Sequence, residues 1–262
     1  MTNTIVSSRE SNKDCELDTI EVTPSFSQRN MENVLSKFYL STKPTSNLYL
    51  QWIEDESFVI DKSNSFYLLV GKRIVDILIS TVVIVFVLSW LLPIIGIIIF
   101  IDSPGSIFFI QPRTGYKGAC FPCIKFRTMY NSKQTEFKQT SFNDNRVTRV
   151  GRFLRKTNLD ELPQFINVLL GSMSIVGPRP HAVQHDVLHW TSMTYRNRYT
   201  IKPGITGLAQ VRGARGETEK SQKMDHRVRY DLFYIKQRSF LFDMKIFFLT
   251  IKTMLEGDKN AW

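Results

Sequence analysis

Between Ile77 and Ile101 the chain runs 25 residues without a formally charged side chain. No other feature constrains its fold as tightly. As a straight helix this stretch measures about 38 Å, more than the roughly 30 Å of bilayer hydrocarbon. A buried helix of a soluble protein is seldom apolar on every side for so long, so the segment is expected to enter a membrane. Pro93 lacks an N–H and crowds the preceding turn, which predicts a break or bend near the middle, with the Ser89 hydroxyl at hand for freed carbonyls. Lys72 and Arg73 precede the segment, and Arg113, Lys117, Lys125 and Arg127 follow it, so both ends attract the cytoplasmic side. On flanking charge alone a re-entrant hairpin and a kinked span both remain open.

The 262 residues suffice for one sizeable domain with an appendage, which excludes a small stapled scaffold. Residues 1–70 hold 6 Lys and Arg against 10 Asp and Glu, whereas residues 71–262 hold 28 against 14. The basic second part calls for an anionic partner: nucleic acid, lipid headgroups or phosphorylated substrates. A nucleic-acid groove favours aromatic platforms and few carboxylates. Here the basic residues instead alternate with rigid Gly-Pro turns around acids, so no nucleic acid is expected. Three cysteines make no disulfide framework, which points to a reducing compartment. The first thirty residues are polar and acidic, without the apolar core of a secretory signal. The expected organisation is therefore an acidic, partly disordered appendage over 1–65, with an apolar patch at Val34 to Ile53, a membrane segment over 66–102 and a basic folded domain over 103–262.

Turn signals at Ser103-Pro104-Gly105 and Thr114-Gly115 frame two short strands, Ser106 to Gln111 and Phe121 to Met129. Phe142 to Gly171 reads as helical, because Leu162, Phe165, Ile166 and Leu169 follow the i, i+3, i+4, i+7 rule and Gly171 suits a C-terminus. Tyr230 to Leu255 mixes aromatic and aliphatic residues with lysines, as a helix in the membrane interface does. The fold class expected is α+β and mostly helical: a membrane helix, interfacial amphipathic helices, and a small cytoplasmic domain with short strands.

The strongest chemical signal is Leu159-Asp160-Glu161-Leu162-Pro163-Gln164. Its proline is tolerated only in a first helical turn, so the paired acids sit at a helix N-terminus. Adjacent helical positions point about 100° apart, which suits divided labour, one acid attacking and one binding metal. The alternative is that Asp160 caps the helix and Glu161 decorates its first turn. Upstream, Arg146, Arg149, Arg152, Arg155 and Lys156 form a basic stripe that either gathers phosphates beside the acids or touches anionic headgroups. In Gly177-Pro178-Arg179-Pro180 two prolines stiffen the backbone around an arginine suited to forking onto a phosphate. Lys202-Pro203-Gly204-Ile205-Thr206-Gly207 is a second turn-rich segment, followed by Arg212 and Arg215. Cys120 and Cys123 form a lone C-x-x-C without a second pair of ligands. His181, His185 and His189 share a helical face that could hold a metal or simply be structural. No Walker loop and no G-x-G-x-x-G occurs.

Six motifs stand in order: Lys72-Arg73-Ile74-Val75-Asp76; Ser103-Pro104-Gly105 with Phe109-Ile110-Gln111-Pro112-Arg113-Thr114-Gly115; Lys125-Phe126-Arg127-Thr128-Met129; the Asp160-Glu161 segment; Val176-Gly177-Pro178-Arg179-Pro180; and Lys202 to Val211. Together, from about Phe66 to Leu255, they resemble the bacterial sugar transferase family of monotopic polyprenyl-phosphate phosphoglycosyl transferases.

The resemblance implies a re-entrant helix-break-helix on the cytoplasmic face of the bacterial inner membrane, with the break at Ser89 or Pro93. It implies that Asp160 attacks a UDP-sugar, expels UMP and carries a phosphosugar that polyprenyl (undecaprenyl) phosphate then accepts, the first membrane step of a surface glycan. Mg²⁺ would be the cofactor, with Glu161 as a catalytic partner that ligates it or positions the attacking carboxylate and Asp231 sharing the metal, and Lys125, Arg127, Arg152, Arg179 and Arg215 would meet phosphates. Membrane phospholipid would be a further partner, and the anchor leaves surface for a homodimer. Two other readings compete: a membrane-anchored Mg²⁺-dependent phosphatase, in which water resolves the aspartyl-phosphate, and a non-catalytic membrane or nucleic-acid binding module.

Overall fold

The apolar run lies in one helix, α1 (Tyr67–Asp102), the one helix among the described residues long and apolar enough to cross a membrane. The computed structural model describes residues 66–131, 140, 144–214 and 221–256. The expected appendage over 1–65, its patch at Val34 to Ile53, and Arg215 lie outside them. The expected interruption at Ser89 or Pro93 is replaced by a continuous helix that passes through both residues. Its irregularities are wider i→i+5 turns at Tyr67–Gly71 and Ile84–Leu88. The second lies one turn ahead of Pro93, so two devices that bend helices stand side by side. The Ser89 hydroxyl donates to the Val85 carbonyl at 2.5 Å.

Only 22% of the most apolar window of α1 is buried. Leu78, Phe86, Trp90, Ile97 and Ile101 project outward, whereas Asp76, Ser80, Leu88, Ile95 and Ile99 are covered. Both ends dock on the same domain. At the first end, Lys72 donates to Asp243 Oδ2 at 2.6 Å and to the Val176 carbonyl at 3.0 Å. Arg73 caps the carbonyls of Val168 and Leu169, and Asp76 accepts from Ile175 N–H at 3.0 Å. At the other end, Asp102 accepts from Val150 N–H at 3.3 Å, and Gly96 faces Ile107. The flanking charges before the segment thus fasten the helix to the domain.

The rest is mostly helical, with two two-stranded sheets among the described residues. Strands β1 (Phe108–Thr114) and β2 (Cys120–Phe126) pair antiparallel, Gln111 opposite Cys123 and Thr114 opposite Cys120. Neither cysteine is in a disulfide among the described residues. The long helix expected over Phe142 to Gly171 is two helices, α2 (Arg149–Lys156) and α3 (Gln164–Leu170), separated by a 3₁₀ turn at Leu159–Glu161. Asn158, at φ 57°, breaks it; asparagine is among the few residues that take the left-handed conformation readily. Gly171 ends α3 in that conformation, as its position predicts.

Strand β3 (Ser174–Val176) leads through α4 (Val183–His189) and α5 (Met193–Arg196) to a parallel partner, β4 (Gly204–Thr206). The two glycine-rich motifs meet here. A Cβ on Gly204 would stand 2.1 Å from Gly177 N, and one on Gly207 2.3 Å from the Gly177 carbonyl oxygen. These glycines let two backbones touch.

After α6 (Leu208–Val211), the expected Tyr230 to Leu255 helix is two, α7 (Ser221–Gln237) and α8 (Phe240–Glu256). Ser239 caps the second by accepting from Phe242 N–H. The main core joins Phe121, Val168, Met173, Val176, Tyr234 and Ile246. A second cluster packs Leu88, Ile95 and Ile99 of α1 on Phe126 and Leu154.

Candidate active site

The turn between α2 and α3 presents the paired acids. Proline can stand at the start of α3 because its missing N–H has no partner there. Asp160 and Glu161 therefore precede the helix instead of occupying its first turn, and both are buried.

The KFRTM motif does three jobs. Lys125, at the end of β2, donates to Glu161 Oε1 at 2.6 Å. Arg127 turns away, donating to the carbonyls of Ser103 and Pro104 and locking the Ser-Pro-Gly turn. Thr128 accepts from Arg155 Nε at 2.9 Å and so sets that guanidinium beside the acids. Arg179 completes the group: Nη1 donates to Glu161 Oε2 at 3.0 Å and Nη2 to Oε1, a two-pronged grip that suits its planar fork.

Of the expected phosphate-binding residues, Lys125 and Arg179 reach the acids. Arg127 does not, because the Ser103-Pro104 carbonyls hold it. Arg152 is exposed on the outer face of α2, and the residue of that stripe facing the acids is Arg155. A three-residue spacing drifts by about 60° per step around a helix, and the seating of α2 turns Arg155 inward and leaves Arg152 exposed.

Glu161 thus has both carboxylate oxygens engaged. Burial alone would raise it, but Arg179 and Lys125 outweigh burial and hold it well below the usual carboxylate range. Asp160 is the opposite case. Among the described residues its carboxylate takes no hydrogen bond, and burial, aided by the neighbouring Glu161 charge, lifts it to about 6 against the pull of Lys125, Arg155 and Arg179. A carboxylate of that pKa is mostly ionised at neutral pH and more basic than a solvated one.

Behind this layer lies a second one, built around Arg198, which the sequence did not single out. Arg198, fully buried, donates to Asp231 Oδ2 at 2.7 Å and to the Arg179 carbonyl at 2.8 Å, and its Nη1 lies 3.1 Å from His181 Nδ1. Arg113 donates to the Pro180 carbonyl at 2.5 Å. The Gly-Pro-Arg-Pro segment is therefore held by two arginines as well as by its prolines. Arg198 stands in a single 3₁₀ turn (Asn197–Thr200), too short to show periodicity and part of no motif, so no local signal could single it out.

The acids expected to share Mg²⁺ do not fit that role in this arrangement. Asp231 is neutralised by Arg198 and Glu161 by Lys125 and Arg179, and among the described residues no contact joins the two. Asp160 is the one of the three acids whose carboxylate accepts no hydrogen bond among the described residues. His181, His185 and Asp186 have ligand atoms within 4.8 Å of one another. However, Arg198 approaches Nδ1 of His181, and Arg227 Nη1 lies 3.5 Å from Nε2. Burial, then these two guanidiniums, hold His181 well below its usual pKa. Two positive charges facing the ring disfavour a metal ion, and His181, His185 and His189 pack ring against ring, the first pair edge-on and the second tilted, each with centroids 5.2 Å apart. His181 precedes α4, so the three do not share one helix.

The family model described as "Bacterial sugar transferase" matches residues 67–257. The UDP-glucose:undecaprenyl-phosphate glucose-1-phosphate transferase of Escherichia coli (strain K12) is 48% identical over 182 residues, covering 69% of this chain and 39% of that protein. The protein of the same name from Caulobacter vibrioides is 42% identical, covering 73% of this chain and 72% of that one. The UDP-N-acetylgalactosamine-undecaprenyl-phosphate N-acetylgalactosaminephosphotransferase of Aeromonas hydrophila is 39% identical over 71% of this chain and 44% of its own length. The chain thus spans about two fifths of the first of these relatives.

Proposed function

The chain belongs to the bacterial sugar transferase family, and on that premise we propose that it transfers a sugar-1-phosphate from a UDP-sugar to polyprenyl phosphate. Asp160 attacks the sugar-linked phosphorus, the bond to the bridging oxygen of the diphosphate breaks, and UMP leaves with that electron pair. A phosphate oxygen of the polyprenyl phosphate then attacks the aspartyl-linked phosphosugar, forming a polyprenyl diphosphate sugar and returning the Asp160 carboxylate.

The observation that carries this reading is the contrast between an Asp160 carboxylate without hydrogen bonds among the described residues and the Lys125, Arg155 and Arg179 cations around it. An anion attacking a diphosphate must overcome like-charge repulsion, and fixed cations in a water-poor turn lower that barrier. Glu161 holds Lys125 and Arg179 in place. Arg198 acts as a positioning residue through the Arg179 carbonyl.

For the membrane arrangement we favour a re-entrant α1 on the cytoplasmic face of the inner membrane. Docking of Lys72, Arg73 and Asp76 at one end and Asp102 at the other on one domain supports it, since a helix crossing the bilayer would separate its ends. Glucose is the first sugar to test, because it stands in the names of two of the three relatives above.

The test is nucleotide release by detergent-solubilised protein given a UDP-sugar panel and polyprenyl phosphate, beside Asp160→Asn. UMP that appears with the lipid acceptor and is lost in the variant supports the proposal. UDP as the product refutes it, because the sugar would then move without its phosphate.

A further inference from the structure

Helices α6, α7 and α8 enclose a groove of about 620 Å³ on the molecular surface. Its floor is aromatic, with Tyr230 and Phe233 on α7 and Phe242 on α8. Three cations rim it: Arg212 just after α6, Arg229 on α7 and Lys245 on α8. All three are exposed, and among the described residues none pairs with a carboxylate. This differs from the catalytic layer, where Lys125 and Arg179 are engaged by Glu161 and Arg198 by Asp231.

The surroundings indicate what the groove faces. Phe233 is 54% exposed, and Leu241 and Phe248 of α8 are 78% and 64% exposed. Apolar side chains this open beside unpaired cations match the boundary between acyl chains and headgroups, where rings rest on hydrocarbon and cations meet phosphate. A soluble anion would leave the apolar rim in water. A neutral lipid would leave three cations without a counter-charge.

We propose that this groove is a headgroup site for an anionic glycerophospholipid of the surrounding leaflet, its phosphate held by Arg212, Arg229 and Lys245 and its glycerol and upper acyl chain lying on Tyr230, Phe233 and Phe242. The site rests on the membrane reading above. It anchors α7 and α8, and α7 carries Asp231, so lipid charge is linked through Arg198 to the backbone of Arg179.

Native mass spectrometry on delipidated, detergent-held full-length protein tests it, with phosphatidylglycerol, phosphatidylcholine or polyprenyl phosphate as the added lipid. A surface cation contributes about a fivefold preference for an anionic headgroup. Wild type is therefore expected to retain phosphatidylglycerol over phosphatidylcholine by at least roughly tenfold, and Arg212→Gln/Arg229→Gln/Lys245→Gln to lose most of that preference. Phe233→Gln is expected to lower retention of both phospholipids. Equal retention of the two by wild type overturns the proposal, as does a triple variant that binds like wild type. So does a Phe233→Gln protein with unchanged retention, which would reduce the effect to diffuse charge. Displacement of phosphatidylglycerol by stoichiometric polyprenyl phosphate also overturns it, and assigns the groove to the acceptor. Retention is read without turnover, so failure here is distinct from an absence of UMP, which would count against the transferase reading.

Discussion

Asp160 and Glu161 are neighbours in the chain with opposite surroundings: Glu161 accepts hydrogen bonds from Lys125 and Arg179 on both oxygens, while Asp160, equally buried, accepts none among the described residues. One acid organises the cations and the other keeps its lone pairs for chemistry. The tight turn after Asn158 makes the separation possible, by pointing consecutive side chains in different directions.

Replacing Asp160 by Asn is expected to abolish UMP release and to stabilise the protein at the same time. The folded pKa of about 6 lies above the unfolded value near 3.9, so ionisation disfavours the fold as pH rises through that interval. Above pH 6 the penalty reaches about 2 to 3 kcal/mol, and Asn removes it. Melting curves at pH 8 should place the variant above wild type, with the gap closing toward pH 4; a variant that melts lower at pH 8 contradicts this account of the site.

Turnover should fall as pH drops below about 6, because the attacking group must be ionised. Glu161→Gln removes a negative neighbour that raises Asp160 and releases two cations toward it. The acid limb of kcat/KM is therefore expected to move to lower pH, even though the maximum falls as Lys125 and Arg179 lose their anchor. A limb that stays in place, or moves up, would mean that another group titrates.

Arg198 and Asp231 form a fully buried pair, and removing one partner strands a charge at a cost of about 3 to 5 kcal/mol. Arg198→Met or Asp231→Asn should thus each unfold at markedly lower denaturant, whereas Arg198→Met/Asp231→Leu recovers part of the loss. Activity should not return in the double variant, since the Arg179 carbonyl stays unsupported. Because Asp231 is engaged by Arg198, any Mg²⁺ dependence should keep its half-saturating concentration in Asp231→Asn protein; a tenfold rise would restore Asp231 as a metal ligand.

Gly204→Ala is expected to abolish the soluble fold in detergent, because the added carbon meets the Gly177 backbone at 2.1 Å with no flexible side chain to yield. Gly71→Ala, facing only the Tyr67 ring at 3.2 Å, should be tolerated. Size-exclusion profiles of the two variants distinguish these outcomes.

What the sequence determined alone were the features written in local order. The uncharged run from Ile77 to Ile101 sufficed for a long apolar helix, the turns at Gly105 and Gly115 for the β1-β2 hairpin, and Gly171 for the end of α3. The order of six motifs sufficed for the family, and the Asp160-Glu161 pair for the centre of the site. Tertiary structure decided which charges face one another. A three-residue spacing cannot tell Arg152 from Arg155, since that depends on where α2 rests on Thr128. Lys125 and Arg127 look equivalent along the chain, yet the Ser103 carbonyl captures one and Glu161 the other. Arg198 carries no pattern at all, and Asp231 takes its role from that arginine 33 residues away. Periodicity and turn chemistry are properties of neighbouring residues, whereas the pairing of buried charges depends on distances that exist only once helices and sheets have packed.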